Sequence, residues 1–248
     1  MSEKRLDWIE NELLKIVRKS RRECANELKK VNKLIVLALT PALESYLKCC
    51  AKSNGQVKTE YYRTLTEKCF IELMKVSNRI LALCYIGAYR SAFNDMRYVL
   101  ESIIQAVYID IRHPDTGLQT RIEILKEVED KIEYRAVHLV DKLDIDYKDK
   151  LKIEYKKLSR IIHPSHKRVF QTIAEVKKSI EGPFPVDCKE VEKIYDSMKI
   201  MYDIFYFLFV IAFSPELKET LKKNQNFILF IKHYNQILLS KTFDIKLN

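Results

Sequence analysis

Apolar residues recur three and four positions apart along most of the chain, the spacing of one face of an α-helix. Residues 3–51 read as helical. There Ile9, Leu13, Ile16, Val17, Ala25 and Leu28 form an interrupted apolar stripe, enough for one docked face. Pro41 either kinks this helix or starts the next. Ser53-Asn54-Gly55 reads as a turn or C-cap. A second helix runs from about 60 to 85, with Gly87 as a bend or a close crossing. A third continues to about Arg112 and stops at His113-Pro114-Asp115. A charged helix spans roughly 119–143, and Asp144 to Asp149 supplies a break with N-cap candidates.

The next helix covers 149–163. Pro164 disfavours helical geometry at His163 and suits the first turn of a new helix, which reaches about Ile180. Gly182-Pro183-Phe184-Pro185 is the clearest linker. Asp187 is placed to cap a helix ending near Phe213, and its nearly all-apolar second half predicts a central position. Ser214-Pro215-Glu216 opens a final helix, with Ser214 as N-cap and Pro215 at its first position.

Only 4 Gly and 6 Pro occur in 248 residues. Sheets need tight turns, and tight turns favour glycine. The chain is therefore expected to be all-α, a multi-helix bundle with long antiparallel helices. Residues 1–248 read as one helical domain, with 60–240 as the core bundle and 1–58 as either part of it or an appended N-terminal arm.

Charge adds a candidate partner. The formal net charge is +10, which suits RNA or another anionic partner. Lysine-rich surfaces of hot-habitat proteins give the same number without any such partner. The six cysteines contain no C-x-x-C pair, and most lie in apolar helical patterns, as buried thiols do. The longest apolar run, Ile204 to Phe213, is half of what a membrane span needs. A cytoplasmic protein with no membrane contact is the expectation.

Candidate chemistry lies in two stretches. In the first, Arg90, Asn94, Arg97, Glu101, Gln105 and Tyr108 follow one another at spacings of 4, 3, 4, 4 and 3, so they share one helical stripe. Around them no lysine occurs between Lys75 and Lys126, although the chain has 31. Lysine is the usual residue of an open helical face, so its absence predicts that this polar stripe is covered. A covered stripe is either a hydrogen-bonded network fixing helix register or a phosphate or carboxylate site built on Arg90 and Arg97.

The second stretch is Tyr155 to His166, which holds Tyr155, Ser159, Arg160, His163 and His166 within about three helical turns. Tyr155 and Ser159 are core positions of a helix on one account and ligand-binding groups on the other. His163 is an N-cap or an active group. Ten Lys and Arg lie between Lys148 and Lys178 against Asp149, Glu154 and Glu175, a balance that attracts a negatively charged polymer. No glycine-rich phosphate loop, H-E-x-x-H or G-x-S-x-G occurs. Nor does any paired Glu-x-x-His of a di-iron bundle. No cofactor and no metal are expected.

The helix G-A-Y-R-S-A-F-N-D-M-R-Y-V-L-E-S-I-I-Q-A-V-Y and the later Y-K-K-L-S-R-I-I-H-P-S-H resemble a widespread group of prokaryotic helical proteins of uncharacterised function. Their pattern is an arginine- and glutamate-bearing helix followed by Tyr-x-x-Leu-Ser-x-x-x-His-Pro. That group is similar to the HEPN superfamily of α-helical bundles, and the resemblance covers about residues 83–170. It implies a metal-independent ribonuclease of a defence or toxin–antitoxin system, with a site shared across a homodimer. The HEPN signature is an arginine, four to six residues, then a histidine, and Arg160 and His166 fit it. By that resemblance Arg160 holds the scissile phosphate and His166 moves a proton. Ile161 stands where the superfamily usually has a polar residue, and Pro164 falls inside the motif.

Two functions remain open. One is RNA cleavage by Arg160, His163 and His166, with Arg90, Asn94, Arg97, Glu101, Tyr155 and Ser159 as a ligand-binding network. The other is a non-enzymatic module of the same fold, binding nucleic acid or protein through its basic segments 15–33 or 148–178.

Overall fold

The structure is a computed structural model, and it describes residues 3–50, 64–129, 136–162, 186–213 and 215–247. Every regular element among those residues is a helix. In chain order they are α1 (Glu3–Glu23), α2 (Ala25–Cys50), α3 (Leu65–Tyr85) and α4 (Tyr89–Arg112). Then follow α5 (Leu118–Glu129), α6 (Ala136–Lys142), α7 (Lys148–Ile162) and α8 (Cys188–Ala212). The chain ends with α9 (Pro215–Lys223), α10 (Gln225–His233) and α11 (Ile237–Thr242). The architecture is the all-α multi-helix bundle that the scarcity of glycine predicts.

Helix α8 is the axis of the packing. All ten residues from Met201 to Val210 are buried, so apolar area leaves water on every side of it. It packs against α2, α4, α7 and α11. Phe209 stacks on Phe70 of α3 with ring centroids 4.8 Å apart, and Tyr206 meets Phe227 of α10 edge-on at 5.7 Å. Polar groups inside this core find partners, as they must. The Tyr202 hydroxyl donates to Ser77 Oγ at 2.8 Å and that of Tyr206 to the Ala38 carbonyl at 3.0 Å.

Helices α3 and α4 form an antiparallel hairpin. Gly87 sits at φ 73°, where side chains are disfavoured. Its N–H donates to the Cys84 carbonyl and that of Ala88 to the Leu83 carbonyl, the paired bonds that end a helix on a glycine. Asp187 caps α8 as expected, accepting from the Lys189 N–H at 2.9 Å. Pro215 is the first residue of α9, also as expected.

Several boundaries differ from the sequence expectation. The first long helix breaks at Cys24, not at Pro41, which stays inside α2. Cys24 is bonded to Cys188 at the start of α8, with Cα atoms 5.2 Å apart. The expectation of thiols is thereby corrected for these two cysteines, while Cys49, Cys50 and Cys84 are buried thiols outside any disulfide. The single C-terminal helix is three short ones. Asn224 stops the first and caps the second, accepting from the Asn226 and Phe227 N–H groups. Asp203 of α8 caps the third, accepting from the Leu238 and Leu239 N–H groups at 2.8 and 3.0 Å. The predicted helix 119–143 is represented by α5 and α6. The helix expected to reach Ile180 and the linker Gly182–Pro185 lie outside the described residues. Among the described residues no helix is long and apolar enough to cross a membrane.

Candidate functional site

Helix α4 touches α3, α5, α6, α7 and α8, so most of its circumference is packed. Its remaining strip carries the polar row. Arg90, Asn94 and Arg97 are exposed, and Glu101, Gln105 and Tyr108 are half-buried. The expected cover is therefore absent over the first half of the row, among the described residues. Five neighbouring helices leave α4 a limited open surface, on which Arg90, Asn94 and Arg97 stand beside exposed Ser91 and Tyr98.

Arg97 Nε donates to Glu101 Oε1 at 2.7 Å, the i, i+4 pair that the spacing predicts. Across from it runs α7. Tyr155 is half-buried, and burial pushes its hydroxyl up to about 12. The Glu101 carboxylate adds to that rise, and the Arg97 guanidinium opposes it. Both charges are thus within electrostatic reach of the phenol, and two segments more than fifty residues apart meet at this point. Tyr155 stays a hydrogen-bond donor throughout the physiological range. Ser159, one turn further along α7, is half-buried on the same side.

Arg160 is exposed. At about 100° per residue it lies roughly 140° around the helix from Tyr155, opposite the buried Leu151, Glu154 and Leu158. The structure therefore brings Tyr155 to the Arg97–Glu101 pair, leaves Ser159 half-buried one turn along α7 and turns Arg160 outward. His163 and His166 lie outside the described residues. Among the described residues no cluster of three His, Cys, Asp or Glu is arranged to hold a metal ion.

The guanidiniums of Arg90 and Arg97 are both exposed on this side of α4, and arginine is the residue type suited to recognising phosphate or carboxylate through paired N–H groups. The Glu101 carboxylate already engages the Arg97 guanidinium, so any anion at Arg97 competes with that carboxylate.

Three buried polar groupings elsewhere escaped the sequence reading. Asp110 and Arg121 pair at 2.9 Å, both buried. Asp110 also accepts from the Thr66 N–H and hydroxyl at 2.8 and 2.6 Å, anchoring the start of α3. Tyr46 donates to Glu67 Oε1, while Glu67 Oε2 has no hydrogen-bond partner. Burial raises the pKa of both groups, so the carboxyl holds its proton more readily than usual. The Thr64-x-x-Glu67 spacing was a readable capping signal, and Thr64 Oγ1 does accept from the Glu67 N–H. Burial likewise lifts Asp203 to about 7, against the backbone N–H groups of Leu238, Leu239 and Ile237 that favour its charged form.

Comparison with protein-family models, with curated proteins and with solved structures gives no match for this chain.

Proposed function

We propose that this chain is a HEPN-like helical protein that binds RNA through the α4–α7 face and cleaves it without a metal ion. The supporting observation is the meeting of Tyr155 with Arg97 and Glu101, because it joins the two segments on which the HEPN resemblance rests. Arg90 and Arg97 hold the backbone phosphates. Arg160 neutralises the scissile phosphate, and His166 or His163 moves the proton of the attacking 2′-hydroxyl. The P–O5′ bond breaks as a proton is delivered from the histidine to the departing 5′ oxygen, leaving a 2′,3′-cyclic phosphate and a 5′-hydroxyl. The outward position of Arg160 suits a site completed by a second copy of the chain, as HEPN sites usually are.

A second reading draws on the α1–α2 surface, where Lys15, Arg18, Arg21, Arg22, Lys29, Lys30 and Lys33 are all exposed. It makes the protein a binding module without chemistry. Cleavage of labelled RNA in the presence of a chelator separates the two. Cyclic-phosphate products, abolished by His166→Ala and by Arg160→Ala, support the nuclease. Salt-sensitive binding with no product supports the module.

Location turns on the Cys24–Cys188 bond. Such bonds persist in oxidising compartments and are rare in the cytosol, except in hyperthermophiles. A cytoplasmic protein with this bond fits a host of that kind, which is also the host its lysine-rich surface suits.

A further inference from the structure

The bend at Cys24, the α3–α4 turn and the start of α8 are held together at one end of the bundle by three contacts. Cys24 is bonded to Cys188. The Asp187 N–H, one residue before, donates to the Tyr89 hydroxyl at 2.9 Å. The Arg21 guanidinium lies over the Tyr85 ring at 5.5 Å from its centroid. Tyr89 opens α4 and is followed directly by Arg90. The exposed cations of the bend and the first arginine of the polar row therefore share this end of the molecule.

Those cations outnumber their neutralisers. Lys15 pairs with Glu12 at 2.7 Å and Arg22 with Glu23 at 3.1 Å. Arg18, Lys29, Lys30 and Lys33 make no ion pair among the described residues and are exposed. Within α2, Lys29 and Lys33 are one turn apart on one side. A set of unneutralised cations whose bend shares an end of the bundle with the start of the Arg90–Arg97 row matches the repeating charge of a nucleic-acid strand better than it matches a single small anion.

We infer that the cations of the α1–α2 bend and the Arg90–Arg97 row of α4 form one continuous surface for single-stranded RNA, with the Cys24–Cys188 bond holding its two halves side by side. This rests on the proposal that RNA is the partner. A short RNA reaches only one half of the surface, and a long one engages both.

The test compares binding of RNA oligomers of about 4 and about 16 nucleotides, the range of site sizes of single-strand-binding modules, across salt concentrations. Arg18→Ala, Lys29→Ala and Lys33→Ala are combined in one variant, all at exposed positions. The wild type is expected to bind the longer oligomer at least tenfold more tightly. The triple variant loses most of that gain, and its salt slope falls by about 2, three phosphate contacts at about 0.7 each. Reducing the disulfide, with helicity followed in parallel, is expected to remove the length gain while leaving the fold. Binding of both oligomers with no difference between wild type and triple variant overturns the continuous surface and leaves the proposal of RNA binding standing. Binding of neither oligomer overturns both. Binding to phosphatidylserine vesicles but not to RNA assigns the cations to a membrane surface and overturns the inference.

Discussion

Cys24 and Cys188 are 164 positions apart in sequence and 5.2 Å apart at their Cα atoms. The bond closes a loop containing most of the bundle, and closing so long a loop restricts the unfolded chain far more than the folded one. Cys24→Ser with Cys188→Ser is expected to lower stability by about 2–4 kcal/mol. Denaturant unfolding with and without reductant measures it. Equal midpoints for wild type and variant under non-reducing conditions would show that the bond contributes nothing.

Asp203 couples the fold to pH. Burial raises its carboxyl to about 7, above the unfolded value near 3.8. In that window the folded state holds a proton that the unfolded state has released, so stability falls as pH rises from about 4 to about 7 and then levels. The Asp203→Asn variant should lose this part of the slope. Asp203→Ala leaves two buried N–H groups of α11 unsatisfied and should cost about 1–3 kcal/mol. Thermal melts between pH 4 and pH 8 compare the three proteins, and identical slopes for wild type and Asp203→Asn would exclude this residue as the source.

Glu101 and Arg97 act on Tyr155 in opposite senses. Removing the carboxylate with Glu101→Gln should lower the titration midpoint of Tyr155 from about 12 toward the ordinary phenol value. The same change frees Arg97 and should tighten phosphate or RNA binding. Ultraviolet titration of the phenol, referenced to Tyr155→Phe, reads the first effect, and an RNA binding curve reads the second. An unchanged midpoint would place Glu101 out of reach of the phenol.

Arg121 and Asp110 form a buried pair that also secures the start of α3. Arg121→Ala should destabilise the protein by about 3–5 kcal/mol, because it leaves a buried carboxylate without its counter-charge. Arg79→Ala removes an exposed pair with Asp95 and should cost no more than about 1 kcal/mol. Chemical denaturation of the two variants side by side tests the ranking.

Local signals along the chain foretold much of this fold. Gly87 and Pro215 mark helix ends through their backbone geometry and Asp187 through its capping carboxylate, and the apolar run of α8 announces its central place. What stayed hidden depends on distant partners. Cysteine pairing cannot be read from spacing, so the bend at Cys24 had no visible cause. The breaks after α9 and α10 depend on Asn224 and Asp203, and Asp203 lies 35 positions before the helix it caps. The lysine-free stretch pointed to a crowded helix, but the crowding falls on the apolar sides of α4 and leaves Arg90, Asn94 and Arg97 open. At the candidate site the Arg97–Glu101 pair followed from its i, i+4 spacing. The proximity of Tyr155 came from tertiary packing, and the outward turn of Arg160 follows once the core side of α7 is known.

The most direct test of the α4–α7 face is RNA affinity of the wild type and of Arg90→Ala combined with Arg97→Ala, measured over a range of salt. Both side chains are exposed, so the variant should fold normally. An RNA-binding face predicts affinity at least about tenfold weaker, from the loss of charged hydrogen bonds, and a salt slope lower by about 1.4, two phosphate contacts at about 0.7 each. Equal affinity and equal slope in the two proteins would contradict it.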